Sequence, residues 1–403
     1  MKISTESLKK FALIGLSVFL YKAVFLTYAY VFTRTQYNLF NQFYYTASLL
    51  ILFGSLGFNI SQTRIPIKSL TIFFFISINI FITYSVLHLI SKPFTAITEI
   101  LPVIIYSIFS AAGTVLNFKL LFDGKYQKYF WVMLLFAIAH FMIIPTVLIL
   151  NVSIFPTLCV FIIIWFFIVF RIFDQELIYN KRYNEYYKIG FSAFVINSAV
   201  SLGLAGDKFI VNHFFSADIA NAYTFAWGLT APIFYIGNLI EKYLFAEPKP
   251  DKNRILKKGF IFSLVLISAY SGSIIALINF FPSLLPDSVS NEIFGSIFVF
   301  MITGYSIYVI FHFPINTYLF KVTDISKQKL ISVYYTVIIL FFAFLFYYTI
   351  RNSIDLNYKL LLTAVWIYIF TLLIVKALII FKGKENDSAG TDKIIPEEMK
   401  EIP

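Results

Sequence analysis

The sequence has little charge and almost no cysteine. Only 13% of its 403 residues are Asp, Glu, Lys or Arg, about half the share usual in soluble domains. With 59% hydrophobic residues and a mean hydropathy of +0.81, it has too little polar surface to enclose an apolar core in water. These proportions exclude a soluble enzyme, a nucleic-acid-binding domain and a secreted module. The single cysteine, Cys159, excludes a disulfide framework and a cysteine-based zinc or iron–sulfur site.

Sequence motifs of known chemistry are also lacking. The sequence contains no P-loop consensus, no H-E-x-x-H zinc motif and no G-x-S-x-G nucleophile elbow. We therefore expect a protein that is not an enzyme, with no catalytic residues, no metal, no cofactor and no direct use of ATP. Nucleic acid is not an expected partner either, because a net charge of +11 in so apolar a chain is typical of basic loops beside a membrane.

Long apolar runs fill most of the chain. About 20 apolar residues cross a bilayer as an α-helix. Twelve such runs predict an all-α integral membrane protein with about twelve transmembrane helices. The predicted spans are residues 11–33, 43–60, 70–91, 98–122, 130–150, 153–173, 188–213, 221–244, 259–281, 293–320, 330–350 and 360–381.

Lysine and arginine residues are divided unevenly between alternate connections. With the N-terminus inside, 25 of the 32 fall on inner segments, four on outer segments and three within spans. Because basic loops are retained on the cytoplasmic side, this bias predicts that both termini are cytoplasmic. All outer connections are short, the longest being about 282–292, so no domain is expected outside the membrane.

Two pairs of spans are similar in kind, which predicts an internal repeat. Residues 30–50 and 207–229 both leave the membrane through an aromatic and aliphatic stretch and return in a helix rich in Tyr and small residues. Twelve spans that start inside then divide into two parallel six-helix lobes around a central lumen. The predicted units are an N-terminal lobe (1–173), a cytoplasmic inter-lobe loop (174–187), a C-terminal lobe (188–381) and a disordered cytoplasmic tail (382–403).

Ionisable residues inside spans are the candidate site. Lys22 and Lys208 lie on the first helix of each predicted lobe, and Asp207 adjoins Lys208. A charge at mid-span costs at least ~2.5–3.5 kcal/mol and usually faces a bundle interior. If the lobes face each other, both lysines line one cavity that attracts an anion such as a phosphate or diphosphate headgroup. The alternatives are that Lys22 snorkels to an interface, and that Asp207 and Lys208 neutralise each other near the outer headgroups.

Three further residues are weaker candidates for the lumen. Arg34 lies on a predicted outer segment, and His140 and His312 lie within the fifth and tenth spans. A lone histidine in such a span is either a hydrogen-bonded interior group or a proton carrier.

The pair Asp207-Lys208, the aliphatic run to residue 211, the short loop and the helix containing Tyr223 resemble the polysaccharide-biosynthesis flippases. These are the bacterial Wzx-type transporters of the MATE-like multidrug/oligosaccharidyl-lipid/polysaccharide exporter superfamily. Residues 30–57 resemble their first hairpin, with Gln36-Tyr37-Asn38 where many members have an acidic–aromatic–Gly turn. The Asn at position 38 departs from that pattern.

The resemblance implies a fold and a function. It implies two six-helix lobes that form a V around a cationic lumen in the bacterial cytoplasmic (inner) membrane. The implied task is moving an undecaprenyl-diphosphate-linked oligosaccharide from the inner to the outer leaflet, for O-antigen, lipopolysaccharide or other surface polysaccharide biosynthesis. Lys22 and Lys208 agree with such a lumen, and Asp207 is the candidate for ion coupling. The implied partners are the lipid bilayer, the lipid-linked glycan, and the polymerase and chain-length proteins of the same pathway.

Three other functions compete with this interpretation. A polysaccharide polymerase or ligase usually carries a long external loop, and the longest outer connection here has about 11 residues. A MATE-type small-molecule exporter for cationic drugs favours acidic lumen residues, whereas the intramembrane excess here is basic. An intramembrane acyltransferase needs a histidine in a catalytic context, which neither His140 nor His312 has.

Overall fold

The structure is a computed structural model. It describes residues 23–58, 69–91, 94–122, 125–173, 183–245, 252–322, 325–351 and 357–382, together with Leu13, Leu16, Phe19 and Leu20. Lys22, the segment 59–68, residues 174–182 of the predicted inter-lobe loop and the tail after residue 382 lie outside the described residues.

The described residues are almost entirely α-helical. The first helix, α1, is described over residues 23–31. The others are α2 (Arg34–Ser55), α3 (Ser69–Ser91), α4 (Ile97–Phe122), α5 (Tyr126–Phe141), α6 (Ile143–Leu150), α7 (Ile154–Phe173), α8 (Tyr183–Phe214), α9 (Ala217–Thr230), α10 (Pro232–Phe245), α11 (Lys252–Phe280), α12 (Asn291–Val322), α13 (Ile325–Arg351) and α14 (Tyr358–Lys382).

Each predicted span coincides with a helix or with two consecutive helices. Among the described residues, seven segments are long and apolar enough to cross a membrane, and they lie on α3, α4, α5–α6, α7, α11, α12 and α14. The helices α2, α8 and α9 carry buried polar residues, among them Asn41, Asn212 and Asn221. The helix α8 begins at Tyr183 and α11 at Lys252, so the connections at those points are shorter than the sequence predicted.

Two predicted spans are broken by proline. The fifth breaks at Met142, three residues before Pro145, and the eighth breaks at Ala231, immediately before Pro232. A proline has no N–H to donate to the carbonyl four residues earlier, and its ring crowds that carbonyl. At the second break the Tyr270 hydroxyl donates to the Leu229 carbonyl (2.6 Å), which satisfies one of the acceptors there.

The helices form two groups. In the first, α4 packs against α2, α3, α5 and α7. In the second, α12 packs against α9, α10, α11 and α14. The groups meet through α2, which lies against both α8 and α9. The second span, α2, packs on the seventh, α8, where Thr46 Oγ1 lies 2.7 Å from His213 Nε2.

Each group contains the same glycine–tryptophan contact. A Cβ added to Gly113 on α4 would lie 2.3 Å from the ring of Trp165 on α7. A Cβ added to Gly304 on α12 would lie 2.1 Å from the ring of Trp366 on α14. In both groups the glycine therefore lets the central helix approach a tryptophan on the last helix more closely than alanine would.

Large apolar side chains cover the outer faces of several helices. Soluble monomers rarely expose wide contiguous apolar patches. Here α3, α11 and α13 expose rows of them, which include Phe74, Phe81, Ile82, Leu264, Val265, Leu266, Val337, Leu340 and Phe344. These rows are suited to contact with lipid chains.

The two hairpin junctions have the same backbone geometry. The helix α1 is followed by Phe32-Thr33 and α8 by Phe215-Ser216. In each, the Phe N–H donates to the carbonyl four residues earlier, at 3.0 Å and 3.2 Å. In each, the Thr or Ser carbonyl accepts from the N–H four residues later, at 2.8 Å and 2.9 Å. Both junctions lie at one end of the helix bundle, which we call the crossing end; the opposite end is the far end.

Candidate functional site

The buried ion pair Asp207–Lys208 lies on α8, where this helix approaches α9. Lys208 Nζ is 2.9 Å from Asp207 Oδ1, and neither side chain is more than 1% exposed. The other carboxylate oxygen, Oδ2, accepts a hydrogen bond from the Tyr223 hydroxyl at 2.6 Å. Tyr305 on α12 lies beside the same carboxylate. The negative charge is therefore held by a cation and by a phenol group from a second helix, α9.

The lysine is also covered by an aromatic ring. Lys208 Nζ lies 3.6 Å from the ring centroid of Trp227 on α9, a cation–π distance. Lys208 is thus a neutralised and covered cation. An anion could reach it only by displacing Trp227 or by competing with Asp207.

A small cavity lies between the two helix groups on the other side of this tryptophan. Its volume is about 40 Å³, room for two or three water molecules. Aromatic residues dominate its wall, and Lys208 is not part of it. The lining residues are Phe25, Leu26, Tyr37, Phe40, Asn41, Tyr44, Tyr45, Thr224, Trp227, Gly228 and Ala231. In this conformation this cavity is too small for a sugar.

Polar contacts close the crossing end above this cavity. The fully buried Asn221 on α9 donates through Nδ2 to the carbonyls of Arg34 and Ser288, each at 3.2 Å. Its Oδ1 accepts from Asn41 Nδ2 at 3.4 Å. One amide therefore uses both of its donors and its acceptor to join α2, α9 and the connection before α12.

Further contacts complete this closure, which we call the crossing-end seal. Arg34 forms an ion pair with Asp218 at the first turn of α9. The Ser288 hydroxyl donates to the Ala29 carbonyl at 2.6 Å, and the Tyr30 hydroxyl donates to the Leu284 carbonyl at 2.8 Å. All of these bonds join one helix group to the other. The seal consists of Ala29, Tyr30, Arg34, Asn41, Asp218, Asn221, Leu284 and Ser288.

The residues that the sequence singled out occupy different places. Lys208 and Asp207 lie together, whereas Lys22 lies outside the described residues. Arg34 is half exposed at the crossing end and belongs to the seal.

The two histidines are hydrogen-bonded interior groups. His140 is buried, with Nε2 2.8 Å from the Tyr106 hydroxyl and Nδ1 2.8 Å from the Phe136 carbonyl. His312 is buried too, with Nδ1 2.6 Å from the Tyr308 hydroxyl. The first lies in the N-terminal group and the second in the C-terminal group, so neither lines the cavity.

Several residues of the site were not predicted. Asn221 lies inside the segment that carries the family resemblance, and Trp227 lies four residues beyond its end at Tyr223. A polar amide in an apolar run is a signal that could have identified Asn221. For Trp227 the sequence offers no such signal, because tryptophan is common at membrane interfaces. The structure also brings together Glu241, Asn316 and Lys376, in a cluster away from these residues.

Comparison with protein-family models, with curated proteins and with solved structures finds no match to this chain. Within the part of the chain that the structure describes, no three His, Cys, Asp or Glu side chains come together as metal ligands would.

Proposed function

We propose that this protein is a flippase of the bacterial cytoplasmic membrane that moves an undecaprenyl-diphosphate-linked oligosaccharide from the inner to the outer leaflet. The observation that carries the proposal is the interface between the two helix groups. It holds a buried lysine, Lys208, next to a small cavity, and the crossing-end seal closes it at one end. Alternating access requires such an arrangement, with a site between two groups that separate at either end in turn.

The two groups are proposed to be parallel six-span lobes. With Phe32 opposite Phe215, residues of the first hairpin correspond to residues 183 positions later in the second. This offset places Phe25 opposite Lys208 and Tyr44 opposite Trp227. Phe25 and Tyr44 are in ring contact with centroids 4.5 Å apart, just as Lys208 lies on Trp227. The repeated glycine–tryptophan contact supports the same division independently.

The repeat also explains why the site is asymmetric. The position equivalent to Lys208 is Phe25, so one wall of the interface is aromatic and the other carries the charge. Lys22, three residues before Phe25, does not correspond to Lys208. A diphosphate needs a cation to replace its hydration, and the sugars bind well to aromatic faces. We therefore propose that Lys208 attracts the diphosphate once Trp227 has moved, and that the tyrosines of the wall contact the glycan.

The crossing end is proposed to face outward. This orientation follows from the distribution of Lys and Arg, because the connections at the far end are the basic ones. The structure is then closed to the outside, and the lipid-linked substrate would enter from the inner leaflet as the far ends separate.

Purified protein in lipid vesicles tests the proposal. The probe is a fluorescent polyprenyl-diphosphate-linked disaccharide, and dithionite added outside reports the fraction that has reached the outer leaflet. We expect faster transfer than in protein-free vesicles, a strong loss in Lys208→Ala, and partial activity in Lys208→Arg. Lys359→Ala, at an exposed lysine of α14, is the matched control and should transfer normally. Transfer at the protein-free rate would refute the proposal, and transfer of a cationic dye instead would indicate a small-molecule exporter.

A further inference from the structure

A second charged cluster lies near the far end of the C-terminal group. Lys376 on α14 is 1% exposed, and its Nζ donates to Asn316 Oδ1 on α12 at 2.8 Å. Asn316 Nδ2 donates in turn to Glu241 Oε1 on α10 at 2.6 Å. An amide thus bridges a buried cation and a carboxylate that come from three different helices.

Charged side chains at such depth are costly, and those that persist commonly serve ion or proton movement. Glu241 is half-buried four residues before the end of α10, so water at the far end can reach it. Lys376, in contrast, is enclosed. A proton can therefore exchange at the carboxylate, while the cation that it balances stays buried.

Other titratable groups surround the cluster. From α12, His312 lies near Lys376 and is hydrogen-bonded to Tyr308. From α13, the Tyr335 hydroxyl donates to the Leu372 carbonyl, one turn before Lys376. From α11, the half-buried Lys258 lies next to Gly259, which contacts α10 and α12. From α8, the Ala199 carbonyl accepts a hydrogen bond from the Tyr368 hydroxyl of α14, two turns before Lys376.

The cluster is mechanically connected to the crossing-end seal. Glu241 is on α10, and Asp218 and Asn221 are on α9. The two helices α9 and α10 together form the eighth predicted span. The break at Ala231 between them is part of the cavity wall. A change in how α10 is held at the far end therefore acts on the helix that carries the centre of the seal.

We propose that Glu241, bridged through Asn316 to Lys376, is a proton-exchange site that controls the opening of the crossing end. A hydronium ion at the far end gives its proton to the Glu241 carboxylate, an O–H bond forms and water is released. Lys376 keeps its bond to Asn316 but loses its counter-charge, and an unbalanced buried cation is strongly unfavourable. Separation of α10 from α12 and α14 relieves the cost of this unbalanced charge. It also weakens the seal, because α9, which carries Asn221, belongs to the same span as α10. Loss of the proton to water restores the closed state.

Cysteine labelling tests this in the full chain without any transport substrate. The background is Cys159→Ala, which removes the single native cysteine, a buried residue, so that only the introduced cysteines react. Val289→Cys, 5% exposed beside Ser288, reports opening of the seal, and Ser283→Cys, exposed in the same connection, corrects for the effect of pH on the reagent. The measured quantity is the ratio of the two labelling rates with a membrane-impermeant maleimide, from roughly pH 4 to 8, where carboxyl and imidazole groups titrate.

We expect the labelling ratio to rise severalfold as the pH falls. Glu241→Gln, which mimics the protonated acid, should give the high ratio at every pH. The double variant Glu241→Gln/Lys376→Met, which removes both charges, should return to the low ratio. Glu292→Gln and Lys359→Met, at exposed positions of α12 and α14, are the matched controls and should behave like the parent.

Three results would overturn the inference. They are a ratio that does not change with pH in the parent, a pH dependence that persists in Glu241→Gln, and a high ratio that persists in the double variant. Persistence in Glu241→Gln would assign the sensor to another group, such as His312. The inference rests on the proposed function only in assigning the opening of the crossing end to transport. A flippase assay that fails while the labelling stays pH-dependent would reject the flippase and keep the pH-dependent opening.

Discussion

At the scale of single residues, the structure changes the meaning of the candidate site. The sequence gives Lys208 as an intramembrane cation next to an acid, and either a lumen cation or a self-neutralised pair is consistent with that. In the structure Asp207 neutralises Lys208. Trp227 covers the lysine and forms part of the cavity wall, so it separates the pair from the cavity. Attraction of an anion is then a property of an opened state.

The first prediction concerns the acid of this pair. Asp207→Asn should lower the free energy of unfolding by about 3–5 kcal/mol, because removing one partner leaves an uncompensated buried charge. Asp207→Asn/Lys208→Met should recover most of that loss. The measurement is thermal unfolding of the purified protein in detergent, with the exposed Asp287→Asn as control. An Asp207→Asn variant as stable as the parent would show that Lys208 does not depend on Asp207.

At the scale of helices, the sequence predicted where the helices lie along the chain but not where two of them break. Apolar runs long enough to cross a bilayer identify the helices directly, since their length and composition are physical requirements of the membrane. The breaks at Met142 and Ala231 depend on how neighbouring helices satisfy carbonyls beside a proline, as Tyr270 does for Leu229. The meeting of α2 with α8 and α9 depends on side-chain packing between distant segments, which a single sequence does not encode in a readable pattern.

The second prediction tests the repeated glycine–tryptophan contact. Gly113→Ala and Gly304→Ala should each destabilise the protein by about 1–3 kcal/mol, because a methyl group there overlaps a rigid indole. Gly295→Ala, also on α12 but with no neighbour within 4 Å, should be neutral or stabilising by up to about 1 kcal/mol. Thermal unfolding compares the three. Unequal effects at Gly113 and Gly304, with one of them neutral, would argue against equivalent contacts.

The third prediction concerns the seal. Asn221→Ala removes two hydrogen bonds between the groups, to Asn41 and to the Arg34 carbonyl, and a third to Ser288 within the C-terminal group. We expect a loss of about 1.4 kcal/mol, which corresponds to about tenfold in the closed-to-open ratio. The Val289→Cys labelling ratio should rise accordingly. Asn238→Ala, at an exposed asparagine of α10 in the same predicted span, should leave it unchanged. No rise in Asn221→Ala would mean that the seal is held by other contacts.

At the scale of the whole molecule, two groups of helices meet through few elements. Each group has its own central helix, α4 or α12, and the bonds between groups that close the crossing end are mostly single hydrogen bonds and one half-exposed ion pair. Packing within each group is extensive and apolar, whereas the seal is polar and small. The contacts that close the crossing end are therefore weaker than the packing within a group.

The measurement that tests this account most directly is transport with the seal locked. Arg34→Cys and Asp218→Cys, in the Cys159→Ala background, replace the ion pair and are joined by a short thiol cross-linker that a reductant cleaves. In vesicles, the unlinked protein should transfer the fluorescent polyprenyl-diphosphate disaccharide, the linked protein should fall to the protein-free rate, and reduction should restore transfer. Undiminished transfer by the linked protein would contradict alternating access between the two helix groups.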